Sequence, residues 1–200
     1  MPGMTTKQRP TADTATRILD VAERLVQVRG FNGFSYAHVA KELHITTAAL
    51  HYHFAGKAEL GEALIDRYAE RFAGALTEID RRISDAPAKL EAYAEIYADV
   101  LRRHRMCLCG VLAAEFETLP GPMREAVLRY FEMNERWLEK VLRQGRREGT
   151  LAFRGSARET ARMVVSGLEG AMLVARPYGD LSRYRATATG LLQSLRAEAP

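Results

Sequence analysis

A histidine and two cysteines lie close together in the segment HRMCLCG, residues 104–110. His104 and Cys107 are three residues apart and would share one face of a helix, with Cys109 nearby. Thiolates bind soft metals, and they react with oxidants or electrophiles where neighbouring cations lower the thiol pKa. Such cations are present as Arg102, Arg103 and Arg105. The segment is therefore a candidate thiol sensor or metal site, and the simpler alternative is a pair of small thiols packed in a core.

His51 and His53 form a second pair of potential metal ligands. Residues two apart point about 200° apart on a helix, so the two imidazoles would not bind one ion. The sequence also shows no Ser-His-Asp arrangement, paired carboxylates, Gly-rich phosphate loop or HExxH motif. We therefore expect no enzyme active site, no metal and no other cofactor.

The segment TTAALHYHF, residues 46–54, combines hydroxyl, methyl, imidazole and aromatic groups but has no Lys, Arg or carboxylate. Threonine and alanine methyls can contact a thymine methyl, and an imidazole can hydrogen-bond a purine acceptor. If the segment binds DNA, the residues expected to lie nearest the base edges are Thr47, Ala48, Ala49 and His51. The phosphate-binding residues are expected to be Thr46, Tyr52, His53 and Lys57. Ser35 and Tyr36, at the start of the preceding helix, complete the predicted DNA-binding set.

Short helices are needed to position these residues. From Thr14 to Arg29 the apolar residues recur with the helical period, and Gly30 stands where a left-handed cap is needed. Ser35 and Thr46 are plausible N-caps of two further helices, over 35–43 and 46–53, joined by about three residues. This arrangement is the sequence form of a helix-turn-helix, whose second helix enters a DNA major groove.

The segment 16–60 resembles the N-terminal domain of the TetR family of transcriptional regulators. The resemblance rests on matching motifs: Gly30-Phe31, Val39-Ala40, Ile45-Thr46, Leu50-His51-Tyr52-His53-Phe54 and Lys57. It implies a homodimeric DNA-binding repressor that a small molecule, bound in a larger C-terminal domain, releases from a pseudo-palindromic operator. His44 replaces the usual turn glycine, where positive φ is expected. Thr47, Ala48 and His51 also depart from the common residues, so the operator sequence is not implied.

The charge distribution supports a polyanion partner. Residues 1–57 carry seven Lys or Arg and four acids, so they hold +3 of the net charge of +4. No window approaches a membrane span, and the N-terminus has no apolar core of a secretory signal. We expect a cytoplasmic protein without membrane contact. Its expected parts are a flexible basic arm (1–13), a DNA-binding domain (14–57, motif about 34–53) and a helical effector-binding and dimerisation domain (58–200).

The remainder of the chain is predicted to be helical, giving an all-α fold. Helices are expected over 57–84, 88–104, 107–117, 121–148, 156–176 and 181–197. The last two helices carry small and apolar residues that suit a homodimer interface, although the same residues could pack within one subunit. Aromatic, sulfur-containing and acidic residues could line the pocket of an unknown small-molecule effector. The candidates are Tyr93, Tyr97, Cys107, Phe116, Tyr130, Met133, Trp137, Glu169 and Met172.

Overall fold

The structure, a computed structural model, describes residues 9–197. Within that range it is built from nine α-helices. They are α1 Arg9–Arg29, α2 Tyr36–Leu43, α3 Thr47–His53, α4 Lys57–Arg82, α5 Ala86–Arg102, α6 Leu108–Ala114, α7 Gly121–Glu148, α8 Ala157–Ala175 and α9 Leu181–Gln193. Two single 3₁₀ turns, Phe116–Thr118 and Arg176–Tyr178, follow α6 and α8. The predicted all-α fold is confirmed.

The two ends of the described chain differ from the sequence expectation. Helix α1 begins at Arg9, so residues 9–13, assigned to a flexible arm, are helical, while residues 1–8 lie outside the described residues. Helix α9 ends at Gln193 rather than near residue 197. The chain then turns back, because Leu195 O accepts a hydrogen bond from Ala152 N and Leu151 forms an isolated antiparallel bridge with Arg196.

Helices α1 to α3 pack around a small apolar core. Ile18, Val39 and Leu50, one from each helix, are fully buried, and Phe54 closes the end of α3. His44 adopts the left-handed conformation, with φ 55° and ψ 42°, as its place in the turn predicts. Thr46 caps α3, since its hydroxyl accepts a hydrogen bond from Ala49 N at 3.2 Å. These local interactions fix the angle at which α3 leaves α2.

The larger domain, α4 to α9, is filled by aromatic rings. Phe72 lies edge-on to the rings of Tyr93, Tyr97 and Tyr130, with centroids 5.3–5.9 Å apart. The Tyr93 hydroxyl donates to Asn134 Oδ1 at 2.9 Å, so the Tyr97 hydroxyl, 3.0 Å away, must donate to Tyr93. These buried hydroxyls therefore satisfy one another and need no ligand.

Candidate nucleic-acid interface and ligand cavity

Helix α3 presents a solvent-facing surface opposite its buried residue Leu50. Thr47, Ala48, His51 and Tyr52 are exposed, and Ala49 is partly exposed. Tyr52 is 79% exposed and contacts only the edge of the His53 ring, with centroids 5.3 Å apart, among the interactions of described residues. The side chains on this face of α3 are therefore accessible to a partner.

Two residues of the predicted DNA-binding set, Ser35 and Tyr36, lie at the start of α2. Ser35 precedes α2 and is exposed, and its backbone N–H donates to His38 Nδ1 at 3.2 Å. The Tyr36 hydroxyl donates to Phe54 O at 3.0 Å, which ties the start of α2 to the end of α3. Burial, with a smaller effect of Glu59, raises the pKa of Tyr36 to about 12. Tyr36 therefore stabilises the position of α3 relative to α2 through this hydrogen bond.

The hydrogen bond of His51 decides what its ring can recognise. Nδ1 lies 3.1 Å from Ala55 O, and a carbonyl oxygen only accepts, so Nδ1 must carry the proton. In the neutral ring Nε2 is then an acceptor. A hydrogen bond from His51 to a purine acceptor needs a proton on Nε2 as well, and this contact stays a prediction. The ring can instead accept from the amino group of adenine or cytosine in the major groove.

Lys57, the first residue of α4, lies against aromatic rings rather than extending into solvent. Its Nζ is 4.5 Å from the ring centroid of Phe31 and 4.6 Å from that of Phe34. Burial lowers its pKa, and the Glu115 carboxylate acts in the opposite direction. Cation–π contacts of this kind hold an ammonium group in place while leaving part of it open to an anion.

The two thiols are core residues. Cys107 and Cys109 are fully buried, and burial, with the nearby Glu169 carboxyl, raises the pKa of both well above the usual value. The expectation that arginines lower these pKa values is wrong. His104 does not share a helical face with Cys107, because it is exposed in the turn after α5, with φ 55°. Among residues 9–197 no group of three His, Cys, Asp or Glu side chains is placed to hold a metal ion.

We predict that iodoacetamide does not label either cysteine in the native protein. A buried thiol with a raised pKa has little thiolate and no access for the reagent. Mass spectrometry after native treatment should show unmodified protein, and treatment in guanidinium chloride should modify both thiols. Native labelling of Cys107 together with loss of DNA affinity would instead restore the sensor hypothesis.

A cavity of about 700 Å³ lies between the end of α1, helix α6 and the middle of α8. Its wall includes Met106, Val111, Phe131, Val165 and Leu173 and is mainly apolar. Among the nine predicted pocket residues only Glu169 lies on this wall. The others do not line this cavity; they are Tyr93, Tyr97, Cys107, Phe116, Tyr130, Met133, Trp137 and Met172.

These eight residues make contacts elsewhere in the fold. Tyr93, Tyr97, Tyr130, Cys107 and Met172 are fully buried in the core. The Trp137 ring stacks on Tyr93, with centroids 5.6 Å apart, and its Nε1 donates to Asp80 Oδ2 at 3.1 Å. Met133 is partly buried against the core, and Phe116 lies beneath the guanidinium of Arg124. Helical spacing identified an apolar interior here but could not separate packed core from cavity wall.

Glu115, which the sequence analysis did not single out, joins the cavity to the DNA-binding domain. It stands on the cavity wall at the end of α6, and its Oε2 accepts hydrogen bonds from Phe31 N at 2.7 Å and Asn32 N at 3.3 Å. Gly30, at φ 82°, lets the backbone approach this carboxylate, since a Cβ there would lie 2.4 Å from Oε1. No local pattern marks such a contact, because it joins residues 84 positions apart.

Helix α8 carries an exposed apolar face, which we call the α8 face and define as Met163, Gly170 and Val174. Met163 is 46% exposed and Val174 64% exposed, and a Cβ at Gly170 would meet nothing within 4 Å. Other residues of α8 and α9 pack within the subunit, for example Gly167 against Leu191. Packing within one subunit therefore accounts for part of these two helices, and the homodimer interface on the exposed α8 face stays a prediction.

Two family models match the chain. One, described as "Bacterial regulatory proteins, tetR family", matches residues 18–64, and the other, "Tetracyclin repressor-like, C-terminal domain", matches residues 86–191. Together they cover the helix-turn-helix and most of the larger domain. No helix within residues 9–197 is long and apolar enough to cross a membrane.

Curated proteins and solved structures give the same picture. The transcriptional regulator AcuR of Cereibacter sphaeroides is 28% identical over 152 residues, which cover 74% of this chain and 69% of AcuR. A TetR-family regulator from Agrobacterium tumefaciens superposes with a TM-score of 0.91 at 31% identity, over 94% of this chain and 100% of that one. A TetR regulator from Legionella pneumophila gives a TM-score of 0.82 at 31% identity, over 98% and 100%.

Proposed function

The chain belongs to the TetR family of bacterial regulatory proteins and is a DNA-binding transcriptional regulator, and from this premise we propose that it is a ligand-released repressor. Regulators of this family bind DNA and act as dimers. The observation that carries the DNA-binding part is the exposed surface of α3 opposite the buried Leu50. A C2 dimer would place two copies of α3 in successive major grooves, about 34 Å apart, on a pseudo-palindromic operator.

The residues of this surface divide into two roles in the proposal. Thr47, Ala48, Ala49 and His51 read base edges. The backbone contacts come from Ser35, Tyr36, Thr46, Tyr52, His53 and Lys57. The 79% exposure of Tyr52 supports its role, because its hydroxyl can reach a phosphate oxygen without breaking a hydrogen bond to another residue within 9–197.

The position of the cavity supports the proposed release of DNA by an effector. Its wall contains Val28, Arg29 and Gly30 at the end of α1, and Glu115 holds the amides that follow them. An effector that shifts α6 would therefore also shift α1, against which α2 packs. Such an effector lowers DNA affinity only if it binds the non-operator arrangement of the dimer more tightly than the operator-bound one.

The two roles give different signatures in DNA binding. Lys57→Met keeps the aliphatic contact with Phe31 and Phe34 but removes the charge, so it should weaken binding to all duplexes and flatten the salt slope by roughly one unit. Thr47→Ala and His51→Ala should mainly relax base preference, by about 1–3 kcal/mol at the position read. Fluorescence anisotropy on duplexes selected from a random pool measures both effects.

The controls for this experiment are wild-type protein on a scrambled duplex and Leu128→Glu, an exposed change on α7 far along the chain from the motif. If the Thr47 and His51 variants keep the wild-type preference, α3 does not read bases through these side chains. If the protein binds its selected duplex no more tightly than the scrambled one, the proposed regulatory role itself fails.

A further inference from the structure

The charged residues around the cavity are mostly engaged. Glu115 accepts two backbone N–H groups, and Glu135 pairs with Arg162, with Nε and Oε2 3.2 Å apart. Arg176 donates to Val28 O at 2.5 Å. Arg29 is exposed at the end of α1. Within residues 9–197, Oε1 of Glu169 is the buried side-chain polar atom of this wall that has no hydrogen-bond partner.

Glu169 lies in the middle of α8 and faces α6. Its Oε1 is inaccessible to water and has no hydrogen-bond partner within residues 9–197. Its Oε2 lies against Gly110, where a Cβ would be only 2.3 Å away, so the helix contact is built around this carboxyl group. The Cys107 thiol, which hydrogen-bonds to the carboxyl group, is a weak donor and gives little compensation.

An unpartnered buried carboxyl group is costly unless it is neutral or meets a donor. Burial raises the pKa of Glu169 to about 7, so near neutral pH the group is divided between the two forms. The last torsion of a glutamate side chain is broad, so either oxygen can turn toward the cavity at small cost. The remaining wall offers an occupant apolar contacts from Val111, Phe131 and Val165.

We propose that Glu169 is the recognition residue for an effector that carries a protonated amine on an apolar body. A cation within hydrogen-bond distance would convert the unpartnered carboxylate into a charge-assisted pair. A volume of about 700 Å³ suits an organic molecule of ordinary effector size. This inference rests on the proposed function, because it identifies the ligand class of the same cavity.

Three probes with one apolar body test the inference: 4-phenylbutan-1-amine, 4-phenylbutan-1-ol and 4-phenylbutanoate. Isothermal titration of the full-length protein at pH 8 should show the amine binding at least tenfold more tightly than the other two. Glu169→Gln should lower amine affinity about tenfold or more and leave alcohol affinity unchanged. Glu132→Gln, on the exposed side of α7 and outside the cavity wall, should change neither.

The pH dependence is an independent readout. Other titratable groups interact with Glu169, and each has a raised pKa, so none of them titrates near neutrality. They are Tyr68, Tyr93, Tyr97, Cys107, Cys109 and Tyr184. A cation prefers the ionised carboxylate, so wild-type affinity for the amine should fall roughly tenfold from pH 8 to pH 6. The Glu169→Gln variant should lose this dependence.

Each contrary result has one meaning. Preferential binding of the carboxylate probe, no binding of the amine, or unchanged amine affinity in Glu169→Gln overturns the inference about Glu169. DNA release, measured in parallel by anisotropy, tests the proposed function separately. If only the carboxylate or the alcohol releases DNA, the protein is a ligand-controlled repressor whose effector is not an amine. If the amine binds tightly but does not release DNA, Glu169 recognises amines and the proposed repressor mechanism is wrong.

Discussion

Val174→Glu is expected to dissociate the dimer and to lower operator affinity by roughly two orders of magnitude or more. Val174 and Met163 are three helical turns apart on the α8 face, with the open Gly170 between them. An exposed apolar face of this kind marks a surface that a partner covers, and the glycine permits close approach of a second helix. In a C2 dimer the substitution would bury two carboxylates without partners.

DNA affinity should fall because the dimer holds two copies of α3 together, one for each half-site. A dimer binds the second half-site at the effective concentration set by the first, and a monomer loses that advantage, which amounts to about 10²–10⁴ in affinity. Size-exclusion chromatography with light scattering measures the oligomeric state. Anisotropy on full-site and half-site duplexes measures the DNA effect, and the half-site affinity should change little.

Leu128→Glu is the matched control for this substitution. Leu128 is 52% exposed on α7, and the change introduces the same charge on an exposed apolar residue of a different helix. It should leave both the dimer and the operator affinity as they are. A Val174→Glu protein that remains dimeric and binds the operator normally would place the subunit interface on some other face.

Local features of the DNA-binding domain could be predicted from the sequence because local forces set them. The Thr46 hydroxyl caps α3 by accepting a hydrogen bond from Ala49 N, three positions along the chain. His44 adopts the left-handed conformation in the short turn between α2 and α3. Leu50 and Val39 are buried as their helical spacing indicates. The roles of the residues on the opposite face remain predictions, since exposure alone does not identify a base contact.

The helices of the larger domain could be predicted from the sequence, but the contacts between their side chains could not. The apolar face of α5 was evident, yet nothing in its spacing tells that Tyr93 and Tyr97 complete each other's hydrogen bonds around Phe72 instead of lining a cavity. Glu115 illustrates the same limit, because its partners lie in another domain. Glu169 could be predicted as a pocket residue, since a single carboxylate within an apolar helical pattern must find a partner.

Glu169→Gln is expected to stabilise the protein at pH 8 by about 3 kcal/mol and to have little effect near pH 5. The pKa of Glu169 is raised from 4.5 in the unfolded chain to about 7 in the folded one. The folded state therefore holds the proton more tightly, and wild-type stability declines as pH rises from 4.5 through 7. A shift of this size corresponds to about 1.4 kcal/mol per pKa unit, and glutamine, which never ionises, avoids the penalty.

Denaturation by urea at pH 5 and pH 8 tests this prediction, with both proteins at one fixed dimer concentration because dissociation contributes to the measured stability. Glu135→Gln serves as control, since Glu135 lies on the same cavity wall but is already paired with Arg162 at 3.2 Å. That pair is partly exposed, so its loss should cost less than about 1 kcal/mol at pH 8, with no gain. Equal stabilities of wild type and Glu169→Gln at pH 8 would mean that the carboxylate already has a strong partner in the protein. The reason for expecting a cationic ligand at this position would then disappear as well, because the energetic cost of the unpartnered carboxylate is what such a ligand relieves.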